Sequence, residues 1–72
     1  NCVAPGWVLT PMVFALTTEE SRKAHAEKEI PLGRYADPEE VSALVAFLCS
    51  AEADFITGQT VSPNGGQVIV GI

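Results

Sequence analysis

The side chains able to do chemistry are few, and their spacing argues against most of it. His25 is the only histidine and lies in a polar stretch among charged residues. A lone histidine so placed reads as a solvated surface residue, and no catalysis is assigned to it. Cys2 and Cys49 are far apart with no CxxC spacing. They read as two small apolar side chains in a reducing compartment. Without a cluster of histidine, cysteine and carboxylate, no metal site is expected. Glu19, Glu20, Glu27, Glu29, Glu39 and Glu40 read as solvated faces and helix caps. Gly65-Gly66 is not a phosphate-cradling loop, because no helical pattern opens after it. No residue of the chain is expected to be catalytic.

Bulk properties narrow the classes further. With 72 residues the chain is one domain at most. Hydrophobic residues make up 47%, which argues for a packed segment and against disorder. Nine acidic residues against four basic ones give a net charge of −5. Arg22, Lys23, Lys28 and Arg34 are scattered among acids, so no basic patch exists to neutralise nucleic-acid phosphates or an anionic membrane. The acidic balance reads as solubility. The apolar runs Leu44 to Cys49 and Val68 to Val70 are too short to span a bilayer, and no charged-then-apolar leader is visible. A cytoplasmic protein is expected. Asn1 stands where an initiator methionine would, so the chain is expected to begin after cleavage or inside a longer one.

These residues must be positioned by a handful of elements. Asn1 to Ala4 reads as the end of a buried strand, broken by Pro5-Gly6. Trp7 to Leu16 is apolar without clean alternation or helical period, and is expected as a loop that lies against something. Pro5-Gly6 before it reads as a turn and Thr10 within it as a helix-capping residue. Thr17 stands three residues before Glu20, a capping-box pattern, and Glu19 and Glu20 suit the positive end of a helix dipole. The helix that follows, within 17–30, is mostly polar, with Ala24 and Ala26 as small apolar positions, and is expected to be peripheral and mobile. Asp37 and Glu40 form a second box with Pro38 at the first helical position. Val41, Leu44, Val45 and Leu48 then make one apolar stripe on a helix within 37–50, widened by Phe47. Ile56-Thr57-Gly58 reads as a turn, Gln59 to Ser62 as a short strand, Pro63 to Gly66 as a tight loop, and 67–72 as an apolar tail. Two short strands joined by a helical crossover are the layout of a parallel βα unit, whose strands need cover on both faces. One firm amphipathic helix cannot supply it. The fold class is therefore α/β, as part of a parallel sheet that is incomplete on its own.

Three blocks carry a family resemblance. Asn1-Cys2-Val3-Ala4-Pro5-Gly6-Trp7-Val8-Leu9-Thr10-Pro11-Met12 resembles the N-x-V-x-P-G-x-V-x-T-x-M region of short-chain dehydrogenases/reductases. Pro31 to Val41 resembles that family's P-L-x-R-x-x-x-P-E-E-V segment. Phe47 to Ser50, Ile56 to Gln59 and Gly65-Gly66 resemble its F-L-x-S, I-T-G-Q and G-G ending. The blocks come in family order and cover nearly the whole chain, and the resemblance implies the C-terminal part of an α/β, doubly wound parallel-sheet (Rossmann-type) domain.

The resemblance implies an NAD(P)-dependent oxidoreductase that interconverts a secondary alcohol and a ketone, with NAD or NADP as cofactor. It implies cofactor contacts from Pro5, Gly6, Val8, Thr10 and Met12. The Val8 backbone would pair with the nicotinamide carboxamide, and the Thr10 hydroxyl would bond the carboxamide or pyrophosphate. Trp7, Met12, Phe14 and Leu16 fall where the family's substrate loop lies, though packing on the lid or on a neighbouring subunit explains them equally. The 17–30 helix falls at the lid and the 37–50 helix at a subunit interface, implying a homo-oligomer (dimer or tetramer), although core packing also explains Phe47. The family's catalytic tyrosine is followed four residues later by lysine. Tyr35, the only tyrosine, is followed there by Glu39, so it is not that acid. Asn64 stands where the family often has aspartate. A non-catalytic structural or oligomerisation segment of a degenerate relative is the alternative.

Overall fold

The computed structural model of the chain describes residues 1–69; positions 70–72 of the expected apolar tail lie outside the described residues. Strand β1 (Cys2–Val3) and strand β2 (Thr60–Val61) pair in parallel, Cys2 opposite Thr60 and Val3 opposite Val61. Between them run helices α1 (Pro11–Leu16), α2 (Glu19–Glu29) and α3 (Pro38–Leu48) and a single 3-10 turn, Ala51–Ala53. Asn1 fastens the pair from outside the ladder. Its Nδ2 donates to the Ile56 carbonyl at 3.0 Å, and its Oδ1 accepts from the Gln59 N–H at 3.0 Å.

Helix α1 lies in the stretch expected as a loop. Thr10 caps it by accepting the Val13 N–H, and Pro11 occupies the first helical position, where its missing N–H costs nothing. At six residues the helix is too short to display a period, which is why its pattern reads as irregular. Helix α2 begins one residue later than expected. Thr18, not Thr17, is the N-cap, and its box partner is Ser21: Thr18 Oγ1 accepts from the Ser21 N–H at 3.0 Å and Ser21 Oγ accepts from the Thr18 N–H at 2.9 Å. Thr17 instead donates its hydroxyl to the Val13 carbonyl and accepts from Arg22 Nη1 at 2.9 Å, which stitches α2 to α1.

Helix α2 buries little, as its polarity predicts, but its one buried residue sits in the core. Ala26 is 2% exposed, the lowest value in the core, which it forms with Val13, Ile30 and Tyr35 and the half-buried Leu9. Helix α3 starts as its sequence predicts. The Asp37 N–H donates to Glu40 Oε1 at 2.9 Å, and Arg34 makes a bidentate pair with Glu40 at 2.7 and 2.9 Å. Its stripe, however, is not covered by the described residues: Val41, Leu44 and Leu48 are half-buried, while Val45 and Phe47 are exposed. The radius of gyration, 13.8 Å, exceeds the roughly 11 Å expected of a compact domain this long. The chain is a slab of 41 × 30 × 15 Å.

Where the two strands leave the sheet they nearly touch. The Gly6 N–H donates to the Pro63 carbonyl at 3.2 Å, and a Cβ on Gly6 would stand 2.8 Å from Asn64 Cβ and 2.9 Å from Asn64 Cα. Asn64 in turn shapes its loop. Its Oδ1 accepts from the Gly66 N–H at 3.0 Å and its Nδ2 donates to the Val68 carbonyl at 2.9 Å. The second bond is one an aspartate, with no N–H to give, could not make.

Two outcomes follow from these contacts. Gly6→Ala is expected to destabilise the protein by about 1–3 kcal/mol, the usual range for forcing a methyl into filled space, read as a lowered thermal midpoint. The Arg34 hydrogen bond, then the Asp37 N–H, holds the Glu40 carboxyl down at about 2. A depressed carboxylate stabilises in full above its unfolded value of about 4.3 and loses that contribution as pH falls toward the folded one. The thermal-midpoint difference between the wild type and Glu40→Gln should therefore be largest above pH ~5 and shrink toward pH ~2.

Candidate functional site

Parallel pairing sends both strands out at the same edge, and the segment from Pro5 to Thr10 crosses that edge. It is held there by a bridge between Val8 and Ala36. The bridge runs through neighbouring groups: the Leu9 N–H donates to the Ala36 carbonyl at 2.9 Å, and the Ala36 N–H donates to the Trp7 carbonyl at 3.0 Å. In an extended segment successive peptide groups alternate sides, so the N–H and carbonyl of Val8 project from the opposite edge. Among the described residues neither forms a hydrogen bond. Thr10 has a comparable reserve. Its oxygen accepts the long 3.4 Å cap from Val13, while its own proton has no acceptor among the described residues. A hydroxyl carries one donor and two acceptor sites, so capping α1 and binding a ligand are compatible rather than rival roles.

Pro5, Gly6, Trp7, Val8, Thr10 and Met12 line one hollow of about 430 Å³, which Gln67 joins from the other strand exit. All five residues expected at a cofactor are thus gathered in one place. The four expected at a substrate are divided. Trp7 and Met12 line this hollow, whereas Phe14 lines a separate groove beneath Arg22, whose guanidinium sits 4.8 Å from the ring centre. Leu16 is 80% exposed at the end of α1. A second hollow, about 540 Å³, lies between Pro5, Val8 and Thr10 and the Val41–Val45 face of α3.

His25 is not a solvated surface residue. Its Nδ1 lies 2.7 Å from the Tyr35 hydroxyl, and its ring stands edge-on to Trp7 at 5.2 Å. Tyr35, buried, stacks on Trp7 at 5.5 Å with 27° between the planes. Hydropathy counting hides this cluster, because histidine and arginine score as polar although ring and stem pack well. The legible signal was spacing: Arg22, His25, Ala26 and Ile30 share one face of α2. Among the described residues there is no cluster of histidine, cysteine and carboxylate able to hold a metal, and no helix is long and apolar enough to cross a membrane.

The sequence profile described as enoyl-(acyl carrier protein) reductase matches residues 1–67. A tropinone reductase homolog of Arabidopsis thaliana is 46% identical over 71 residues, 99% of this chain and 26% of the relative. A 3-oxoacyl-(acyl-carrier-protein) reductase of Aquifex aeolicus is 48% identical over 67 residues, 93% of this chain and 26% of the relative. Among solved structures, a short-chain dehydrogenase/reductase of Brucella melitensis, titled glucose/ribitol dehydrogenase, superposes with a TM-score of 0.81 at 38% identity, covering 94% of this chain and 27% of that one. The chain spans about a quarter of the length of the curated relatives it matches. Its strand, turn and helix order is accordingly a part of their parallel α/β architecture, and the chain belongs to the short-chain dehydrogenase/reductase family.

Proposed function

We propose that this chain forms the nicotinamide-side wall and the lid of an NAD(P)-dependent oxidoreductase that interconverts a secondary alcohol and a ketone. The observation that carries the reading is the pair of Val8 peptide groups, unpaired among the described residues, beside the Thr10 hydroxyl at the strand exits. A carboxamide has both a donor face and an acceptor face, and an extended residue offering N–H and carbonyl on one side matches both. Thr10 donates its remaining proton to the carboxamide or to a pyrophosphate oxygen. Pro5, Gly6 and Met12 shape the wall, and Trp7 and Met12 offer the apolar surface against which a substrate's hydrophobic portion lies.

NAD or NADP, when bound, supplies or takes the hydride; the residues of this chain bind and orient. No residue here does the family's proton transfer, since Tyr35 is buried against His25 and is followed by Glu39 where a lysine would be needed. The names of the relatives, an acetoacetyl-CoA reductase of Shinella zoogloeoides at 44% identity among them, support reduction of a ketone as the direction to test first. A second reading, a non-catalytic segment whose role is assembly, is favoured by the exposed Val45 and Phe47 of α3. A serine, a tyrosine and a lysine four residues after that tyrosine, elsewhere in the protein, would remove it.

Thr10→Ala in the protein carrying this segment should weaken nicotinamide cofactor binding about threefold to tenfold, the loss of one hydrogen bond. Cofactor titration by fluorescence and reduced-nicotinamide absorbance with acetoacetyl-CoA as probe ketone read the effect. Unchanged affinity and turnover would remove Thr10 from the site.

A further inference from the structure

We infer that His25 and Tyr35 are positioning residues that hold the Trp7 indole as a fixed wall of the substrate side of the hollow, and so tie the place of α2 to the place of that wall. The inference rests on the functional reading above and deepens it. Trp7 is 41% exposed, with its ring stacked on Tyr35 and T-shaped to His25. Trp7 lines the hollow formed with Thr10 and Met12 and also a neighbouring one formed with Ile30, Leu32 and Pro63. An indole on a turn has two side-chain torsions to fix, and a wall that wanders discriminates poorly between substrates. Here three elements fix it: the Pro5–Thr10 segment that carries it, the helix α2 that carries His25, and the loop before α3 that carries Tyr35.

The His25–Tyr35 hydrogen bond is what makes the cluster a unit. At 2.7 Å it sets the rotation of both rings, which stand at 90° to one another with centres 5.7 Å apart. In that arrangement Tyr35 stacks on the indole and His25 stands T-shaped to it, the two geometries that aromatic quadrupoles favour. Neighbouring contacts anchor the unit on both sides. Ala26 and Ile30, next on the same face of α2, are buried, and Arg34 Nη1 donates to the Tyr35 carbonyl at 3.2 Å. Displacing α2 breaks the hydrogen bond and unseats the indole, so the position of the lid is read at the substrate wall without α2 itself touching the cofactor residues.

The test uses Tyr35→Phe, which keeps the ring and deletes the hydroxyl, and His25→Gln, which keeps a hydrogen-bonding group and deletes the ring, both in the full-length protein. Trp7 is the only tryptophan of this chain, and subtracting the spectrum of a Trp7→Phe variant isolates its emission from that of the rest of the protein. Both variants should shift that emission to longer wavelength and make it easier to quench with acrylamide. Both should raise KM for acetoacetyl-CoA about threefold to tenfold while leaving kcat and the cofactor Kd within about twofold, the pattern of lost ground-state positioning. Unchanged emission, or shifted emission with unchanged KM, overturns the inference. So does a loss of cofactor affinity as large as the rise in KM, which marks general disruption. If the parent itself neither binds nicotinamide nor turns over, the functional reading fails instead, and the emission spectra alone decide whether His25 and Tyr35 hold Trp7.

Discussion

Parallel pairing between Cys2–Val3 and Thr60–Val61 is the constraint from which the rest follows. Parallel strands cannot be joined by a tight turn, so a long crossover must carry the chain from one end of the sheet back to the other. It also obliges both strands to leave at one edge, where Pro5-Gly6 and Pro63 to Gly66 meet closely enough that only hydrogen fits on Gly6. In open α/β sheets that edge is where ligands bind, because strand ends and returning loops open a crevice there. Val8 and Thr10, which keep polar groups unpaired among the described residues, stand at that edge because the chain leaves β1 there.

The crossover is held to the edge by mixed means. A one-residue bridge at Val8 and Ala36 ties it early, the reciprocal caps of α2 and the Thr17–Arg22 bond shape its middle, and the Arg34–Glu40 pair sets where α3 begins. The core between α1, α2 and the loop after α2 is small: Val13, Ala26, Ile30 and Tyr35. Its most enclosed member is an alanine, since α2 must come close for His25 to reach Tyr35, and a larger side chain at Ala26 would stand the helix off.

How much of this could be read from residues alone follows physical lines. The start of α3 was legible because Asp37, Pro38 and Glu40 act locally, each within one turn of the others. The strand at Thr60–Val61 and the glycine loop after it were legible for the same reason, and Gly65 and Gly66 do adopt positive φ, 64° and 90°. Helix α1 was not, because six residues with proline at the first position show no period. The choice of Thr18 over Thr17 was not, because two adjacent threonines offer equal caps and the decision belongs to Ser21 and Arg22. The five residues expected at a cofactor form one linear block, and the structure gathers them around one hollow; Phe14 and Leu16, in the same block, are sent elsewhere by the turn of α1. The His25–Tyr35–Trp7 cluster joins positions 7, 25 and 35: spacing along α2 marks the face His25 lies on, but contacts of that span leave no local trace of its partners.

The unbalanced distribution of apolar surface completes the picture. Fully burying one large aliphatic or aromatic side chain contributes roughly 1.5–3 kcal/mol, and α3 carries five such residues, Val41, Leu44, Val45, Phe47 and Leu48, none of them buried by the described part of the chain. The helix that is best specified by its sequence is therefore the one least covered by its neighbours. Caps and the Arg34–Glu40 pair fix where α3 starts, yet exposed ion pairs contribute little, and a helix of 11 residues gains most of its stability from packing. The hollow of about 540 Å³ beside that stripe is lined from the other side by Pro5, Val8 and Thr10, so the open face of α3 and the segment from Pro5 to Thr10 share one apolar boundary.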